Sequence, residues 1–356
     1  MNMNLKNFLS LAGLFCGSFA ATSAHAYSDA SNDTTTTTNY SQITPPAGFA
    51  AAPGVGFSLY ADFIYWEARQ ANIDYAVSGV GDNIAAQGQV YYPKFDYQPG
   101  FKAGMAVDMG HDNWDLDANY TWLNTCGGKT SASTSYDNPI LAPTRTLFTA
   151  DIIPLEEYVL TEADGDWKFV YNLANINLGR NYYISEYLTL RPFFGISGAW
   201  NHQNQAIHYT YTVEDPLHFI AQHYKQSYWG VGFETGLNTA WCFDENWSIY
   251  GDFNVMNLWS KYEVKENEIY YLFDDGDVDY AEGTVAYNTI GTQYGIQNIV
   301  DIQMGLRWAM RFDDNTMGFS VQVGWDQQVW INHAQYATKA SNLSVQGLDV
   351  RARFDF

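Results

Sequence analysis

The final nine residues alternate between apolar and charged side chains without a break. Leu348, Val350, Ala352, Phe354 and Phe356 share one parity, and Asp349, Arg351, Arg353 and Asp355 share the other. A β-strand sends successive side chains to opposite faces. Four charges in alternate positions therefore need a wet face opposite a dry one. The same grammar recurs upstream. Ile302, Met304, Leu306, Trp308, Met310 and Phe312 alternate with Asp301, Gln303, Gly305, Arg307, Ala309 and Arg311. Met317, Phe319, Val321, Val323 and Trp325 repeat it, as do Trp229, Val231, Phe233, Leu237, Trp241 and Phe243. No pattern of helical period competes with these runs.

Extending the alternation places ten strands near 56–68, 90–109, 113–125, 166–184, 187–212, 222–243, 246–266, 284–312, 316–330 and 343–356. Connections after even-numbered strands are tight turns, at Gly110 to Asp112, Ser185-Glu186, Asp244-Glu245 and Asp313 to Asn315. Those after odd-numbered strands are longer and polar, the longest spanning about 126–165. Short turns on one rim and long loops on the other are the asymmetry of an outer-membrane barrel. The expected fold is thus all-β, an antiparallel transmembrane β-barrel of ten strands with short periplasmic turns and long extracellular loops. Leu147 to Ala150 and Tyr158 to Leu160 could supply one more hairpin and make twelve strands. Trp241, Phe243, Trp247, Phe312, Phe319 and Phe356 fall beside the tight turns or the chain end. Aromatic rings favour the membrane–water boundary, so these are expected at the interface.

The start of the chain reads as an export signal followed by a flexible lead-in. Lys6, the apolar stretch Phe8 to Ala20 and the small-x-small site Ala24-His25-Ala26 predict a signal peptide over 1–26, cleaved after Ala26. Residues 27–53 are Ser, Thr, Asn, Ala and Pro with too little apolar surface to order themselves. The barrel is expected over 54–356. With 17 Lys+Arg against 39 Asp+Glu the net charge is −22. Losing residues 1–26 removes one Lys and no acid, which makes it −23. Nucleic-acid binding needs clustered cations and is excluded as a function class. The expected location is the outer membrane.

Tyr60-Ala61-Asp62-Phe63-Ile64-Tyr65-Trp66-Glu67-Ala68, the following Ile73-Asp74-Tyr75-Ala76 and the Phe-terminated last strand carry a family resemblance. With the signal peptide and the Gly/aromatic meander, the chain resembles the major-outer-membrane-protein-like pore-forming proteins of chlamydia-related and legionella-type bacteria. That resemblance implies a porin and an abundant surface protein. It also implies that Phe356 is part of the signal read by the barrel-insertion machinery. Chlamydial relatives are heavily disulfide-linked, whereas only Cys126 and Cys242 remain here after the signal peptide. They belong to opposite rims, roughly 25 Å apart, while a disulfide needs Cα atoms within about 7 Å. They are not expected to pair within one chain; an intermolecular bond through Cys126 and two free thiols stay open, as does a homo-oligomer.

With the apolar parity toward lipid, the other parity lines the lumen. Arg307, Arg311, Arg351 and Arg353 would form a basic wall, and Asp115, Asp117, Glu234 and Asp252 an acidic one, with Asp349, Arg191 and Lys102 also lining. Opposed walls create a transverse field, and the acidic excess favours cations. The expected function is passive diffusion of ions and small polar solutes with mild cation preference. The competing reading is a plugged structural or adhesive barrel, because about eight strands already make an interior that side chains fill. Asp62, Asp349 and Asp355 would then be counter-ions of neighbouring arginines.

Two weaker readings complete the inventory. Asp275, Asp277 and Asp279, with Asp274 and Glu282, offer oxygens to a divalent ion, but Gly276 breaks the EF-hand spacing. A solvated acidic loop bridged by divalent ions to lipopolysaccharide is the plainer expectation, and no resident metal or cofactor is called for. Outer-membrane lipid and lipopolysaccharide are the expected surroundings. His202, His208, His218 and His223, near Glu214 and Asp215, would suit a rim protease. No nucleophile motif accompanies them, so the chain is expected not to be an enzyme.

Overall fold

The structure, a computed structural model, describes residues 56–79, 88–110, 112–134, 141–145, 159–185, 187–212, 217–271, 284–312, 317–335 and 340–356. Residues 1–26 and 27–53, expected to be the signal peptide and lead-in, the acidic segment from Asp274 to Glu282, and Glu214 and Asp215 lie outside these residues.

Ten long strands form the wall. They are β1 (Gly56–Gln70), β2 (Gln98–Asp108), β3 (Trp114–Cys126), β4 (Val159–Arg180), β5 (Leu188–Thr212), β6 (Leu217–Cys242), β7 (Trp247–Tyr271), β8 (Thr284–Phe312), β9 (Met317–Gln335) and β10 (Ala340–Asp355). Each pairs antiparallel with its sequence neighbour, and β1 pairs with β10 to close the ring. The seam is zipped to its last residue: Phe356 N–H donates to Phe57 O at 2.8 Å and Phe57 N–H to Phe356 O at 3.2 Å. Closure leaves none of the ten wall strands as a sheet edge, which a lipid environment requires.

Two expectations need correction. The second strand begins at Gln98, not near residue 90, because the segment around residue 90 pairs elsewhere. Val90–Tyr91 instead joins Ala76–Ser78 and Leu141–Pro143 in a separate three-stranded sheet. The twelve-strand alternative is also set aside, since the ring closes with ten. Within the long connection, Thr130–Ser133 pairs only with the upper part of β4. Leu147 to Ala150 and Tyr158 fall outside the described residues. The tight turn at 110–112 uses left-handed backbone at Gly110, Asp112 and Asn113, residue types that tolerate it.

The parity assignment fits the observed exposure. Phe233 is 76% exposed, Ile302 50% and Phe63 53%, all on the outer surface. Trp241, Phe243, Trp247, Phe312 and Phe356 are exposed around the short-turn rim, where Phe319 packs against Phe354 at 4.7 Å between centroids. A second outward aromatic set lies nearer the long-loop rim. Trp229 contacts Trp259 at 5.5 Å, and Trp259 stacks on Tyr294 at 6.1 Å. Trp200 stacks on Tyr120 at 5.8 Å. On β6, Trp229 and Trp241 are twelve residues apart, about 30 Å of height for strands tilted near 40°. That matches the apolar thickness of a membrane. Strands β5 to β8 continue well beyond the upper set, so the barrel protrudes past the bilayer.

Candidate functional site

Climbing β1 from the short-turn rim, the inward residues are Ser58, Tyr60, Asp62, Ile64, Trp66, Ala68 and Gln70. The lumen changes character in the same order: polar and charged below, aromatic in the middle, capped above.

The lower part holds a cavity of about 270 Å³ lined mostly by polar side chains. Lys102, Arg191, Arg307, Arg351 and Arg353 reach it, and so do seven carboxylates: Asp108, Asp115, Asp117, Glu234, Asp252, Asp301 and Asp355. Asp62, Asp326 and Asp349 are buried against two of those cations. Ten carboxylates thus face five cations. Arg351 forks onto Asp62 with Nε and Nη2 both at 2.8 Å and lies 4.5 Å from the Tyr60 ring centroid. Arg353 donates to Asp355 at 2.7 Å and to Ser58 at 2.8 Å. Arg191 grips Asp115 bidentately and also donates to Asn238 at 2.8 Å. Lys102 Nζ sits 3.4 Å from Asp326, 3.3 Å from Asp349 and 5.3 Å over Trp66. Glu234 accepts from Ser197 Oγ at 2.7 Å, Asp252 from Asn238 at 2.8 Å, and Asp117 from Tyr60 Oη at 3.0 Å.

Most of the expected lining residues therefore do face one interior space, but the picture of two opposed walls is corrected. Arg191, Arg351 and Lys102 are each bound to a carboxylate one or two strands away, and Arg353 to Asp355 two residues along its own strand. A neighbour at about 3 Å outweighs a charge across the lumen, since attraction falls with distance. Arg311 departs from the expectation: it is exposed near the short-turn end of β8, outside the cavity lining. Asp349 is buried behind the lining on Lys102 rather than bordering the cavity, and its counter-ion is that lysine, not an arginine. Arg307 lies 5.7 Å from the Tyr250 ring centroid. The alternative in which Asp62 and Asp355 serve as counter-ions of arginines matches the observed pairs.

Above the charges, sequence reasoning missed an aromatic layer that fills the barrel. Trp66, Trp167, Trp330, Phe169 and Tyr171 are essentially unexposed and form one cluster with Leu123, Met256 and Ile299. Tyr171 meets Trp330 edge to face at 5.7 Å and Trp66 at 6.4 Å, while Trp167 stacks on Phe169 at 5.6 Å. A polar knot is embedded beside it. The Gln297 amide nitrogen donates to the carbonyls of Asn298 and Ile331, so its oxygen accepts from Tyr262 Oη at 2.8 Å and from His333 Nδ1 at 3.1 Å.

The three-stranded sheet caps this layer from within the barrel mouth. Tyr75, Ala76 and Leu141 pack on inward residues Leu160, Ile207, Tyr209 and Ile220. Tyr209 Oη donates to Tyr75 O at 2.6 Å, and Gln205 to Ile73 O at 3.2 Å. Parts of the first and third connections thus fold inward.

The remaining candidates are dispersed. His208 and His223 meet at 6.1 Å on the outer wall, and His202 is also exposed there. The His218 side chain lies outside the described residues. Asp275, Asp277 and Asp279 do too. Among the described residues no group of three or more His, Cys, Asp or Glu is arranged to hold a metal. Cys126 ends β3 at the long-loop side and Cys242 ends β6 at the other, and no disulfide joins them.

A family model described as the Legionella pneumophila major outer membrane protein precursor matches residues 53–356. The chain belongs to that family. It is accordingly an outer-membrane protein, as the resemblance in its first and last strands implied. No curated protein matches the chain. Among solved structures it is similar to a major outer membrane protein from Thermus thermophilus, at 12% identity and TM-score 0.30 over 85% of this chain and 99% of that one. It is also similar to the outer membrane protease OmpT from Escherichia coli, at 10% identity and TM-score 0.39 over 88% and 99%. The toluene transporter TodX of P. putida is similar at 10% identity and TM-score 0.26 over 88% and 92%. These likenesses are too loose to bear on a pore or on catalysis.

Proposed function

We propose that the chain is a non-catalytic outer-membrane porin. Ions and small polar solutes enter a polar vestibule from the short-turn rim, and an aromatic layer nearer the other rim limits their passage. The observation that carries this reading is the 270 Å³ charged cavity inside a wall whose outer face is apolar. A barrel that only anchored an envelope could bury apolar residues there at lower cost than ten carboxylates and five cations, since unpaired or poorly paired buried charge is expensive. The excess of carboxylates predicts preference for cations. Passage requires the layer at Trp66, Tyr171 and Trp330 to part, so native conductance should be small.

A second reading, a plugged structural barrel, is favoured by that same layer, in which Trp66 and Trp330 are 0% exposed. Planar-bilayer recording under a salt gradient separates the two. The porin reading expects discrete small steps with a cation-signed reversal potential, and larger steps for the Trp66→Ala/Trp330→Ala variant. A folded, heat-modifiable native chain that never conducts would overturn it in favour of the plugged barrel.

A further inference from the structure

The outer wall carries a second charged feature, on the side away from the lumen. Strand register sets Lys168 of β4 beside Asn204 of β5, Asn204 beside Lys225 of β6, and Lys225 beside Lys265 of β7. The three lysines are exposed and share the outward face with Trp200, Trp229 and Trp259. Adjacent strands lie about 4.8 Å apart, so the row crosses roughly 15 Å of wall. Lys225 and Lys265 are direct cross-strand partners, an arrangement of like charges that destabilises a sheet. Among the described residues none of the three forms an ion pair. The row lies among groups of mixed sign. Lys261 is tied to Glu263 at 2.5 Å, and Asp166 accepts from the Ala206 N–H at 3.2 Å. His202, His208 and His223 stand on the same face.

Its height is informative. Lys225 is four residues beyond Trp229 and Lys265 six beyond Trp259, about 10 Å and 15 Å toward the long-loop rim at a tilt near 40°. This is where the outer leaflet's head groups meet a barrel whose aromatic set marks the interface. Below the row the wall is apolar, with Val231 and Ile196 exposed, a surface suited to acyl chains. Nine lysines occur in the whole chain, and four of them, Lys168, Lys225, Lys261 and Lys265, gather here on a molecule of net charge −22. Overall charge does not explain that concentration; an anion at this height does.

We propose that this face of β4 to β7 is a binding site for a phosphorylated glycolipid of the outer leaflet. Its phosphates bridge Lys168, Lys225 and Lys265, and its acyl chains lie on the Trp229–Trp259 wall. The inference rests on outer-membrane residence and is independent of whether the lumen conducts.

The test is titration of the full folded chain in zwitterionic detergent with a bisphosphorylated lipid A-type glycolipid, its monophosphorylated form, and inorganic phosphate. The Lys168→Gln/Lys225→Gln/Lys265→Gln variant should weaken binding of the bisphosphorylated form about a hundredfold, at roughly fivefold per lysine. Removal of Arg69, Lys94 and Lys129 together should leave it unchanged. Lys225→Glu separates folding from binding. It converts the opposed lysines into a cross-strand ion pair, so the lipid-free barrel should resist heat at least as well as the native chain while glycolipid affinity falls. Equal affinity of the triple variant and the native chain would overturn the site. So would full competition by inorganic phosphate, which would make it a free-anion site, or native binding no tighter than to a zwitterionic phospholipid.

Discussion

Lys102→Met should be among the most damaging single changes in the barrel wall. The ammonium lies 3.3–3.4 Å from Asp349 and Asp326, whose side chains are 1% and 2% exposed. At an effective dielectric near 20, each contact carries about 5 kcal/mol of attraction. Desolvation of all three groups cancels most of it, so the net worth of the trio is far smaller. Removing only the cation is different, because the dehydrated carboxylates stay behind uncompensated, at a cost of about 3–5 kcal/mol. Met keeps most of the aliphatic stem, so the loss is mainly that of the charge and its contact with the Trp66 ring. The assay is urea unfolding of the chain refolded into lipid vesicles, with heat-modifiable gel migration reporting the folded fraction. The triple variant Lys102→Met/Asp326→Asn/Asp349→Asn should recover more than half of the loss, since neutral amides need no counter-ion. A loss below about 1 kcal/mol for the single variant, or no recovery in the triple, would refute the claim that these charges hold one another in place.

Other consequences follow from the same geometry. A Cβ on Gly104 would come within 2.4 Å of the Tyr60 ring, so Gly104→Ala should cost about 1–3 kcal/mol. That penalty should shrink in a Tyr60→Ala background; an unchanged penalty there would place the strain elsewhere. Deleting Phe356 removes both terminal backbone bonds of the seam, and the heat-modifiable fraction after refolding should fall. Normal assembly without it would count against the closing role. Opening the lumen with Trp66→Ala/Trp330→Ala should raise conductance while weakening the fold by several kcal/mol, about 3–5 for each buried Trp lost. Variants as stable as the native chain would mean the layer is not packed as described.

What could be read in advance followed from locality. Alternation needs only neighbours in sequence, so the ten strands, the tight turns at 110–112 and 244–245 and the lipid-facing parity of β8 to β10 were legible. The rule that apolar residues face lipid failed where the barrel is filled. On β4, Trp167, Phe169 and Tyr171 face inward while Lys168 and Val170 face out. Periodicity alone gives the same alternating signal for either arrangement. Parity counted along one strand does distinguish them: on β1, Trp66 shares a face with Asp62, not with Phe63, so an inward tryptophan was already implied by an inward aspartate.

The pairing of charges lay beyond any local signal. Lys102 meets Asp326 and Asp349 across separations of 224 and 247 residues, and which carboxylate wins depends on ring closure. Asp62 and Arg351 are direct register partners of β1 and β10, so that pair becomes legible once the first and last strands are assumed to meet. Arg191 reaches Asp115 across the intervening β4, past Gly179, where a Cβ would come within 2.3 Å of the guanidinium. A side chain there would push the arginine back into the lumen. The absence of one methyl group on β4 thus turns an expected free pore charge into a bound one. Ion preference should therefore follow the unpaired carboxylate excess, not a tally of inward arginines.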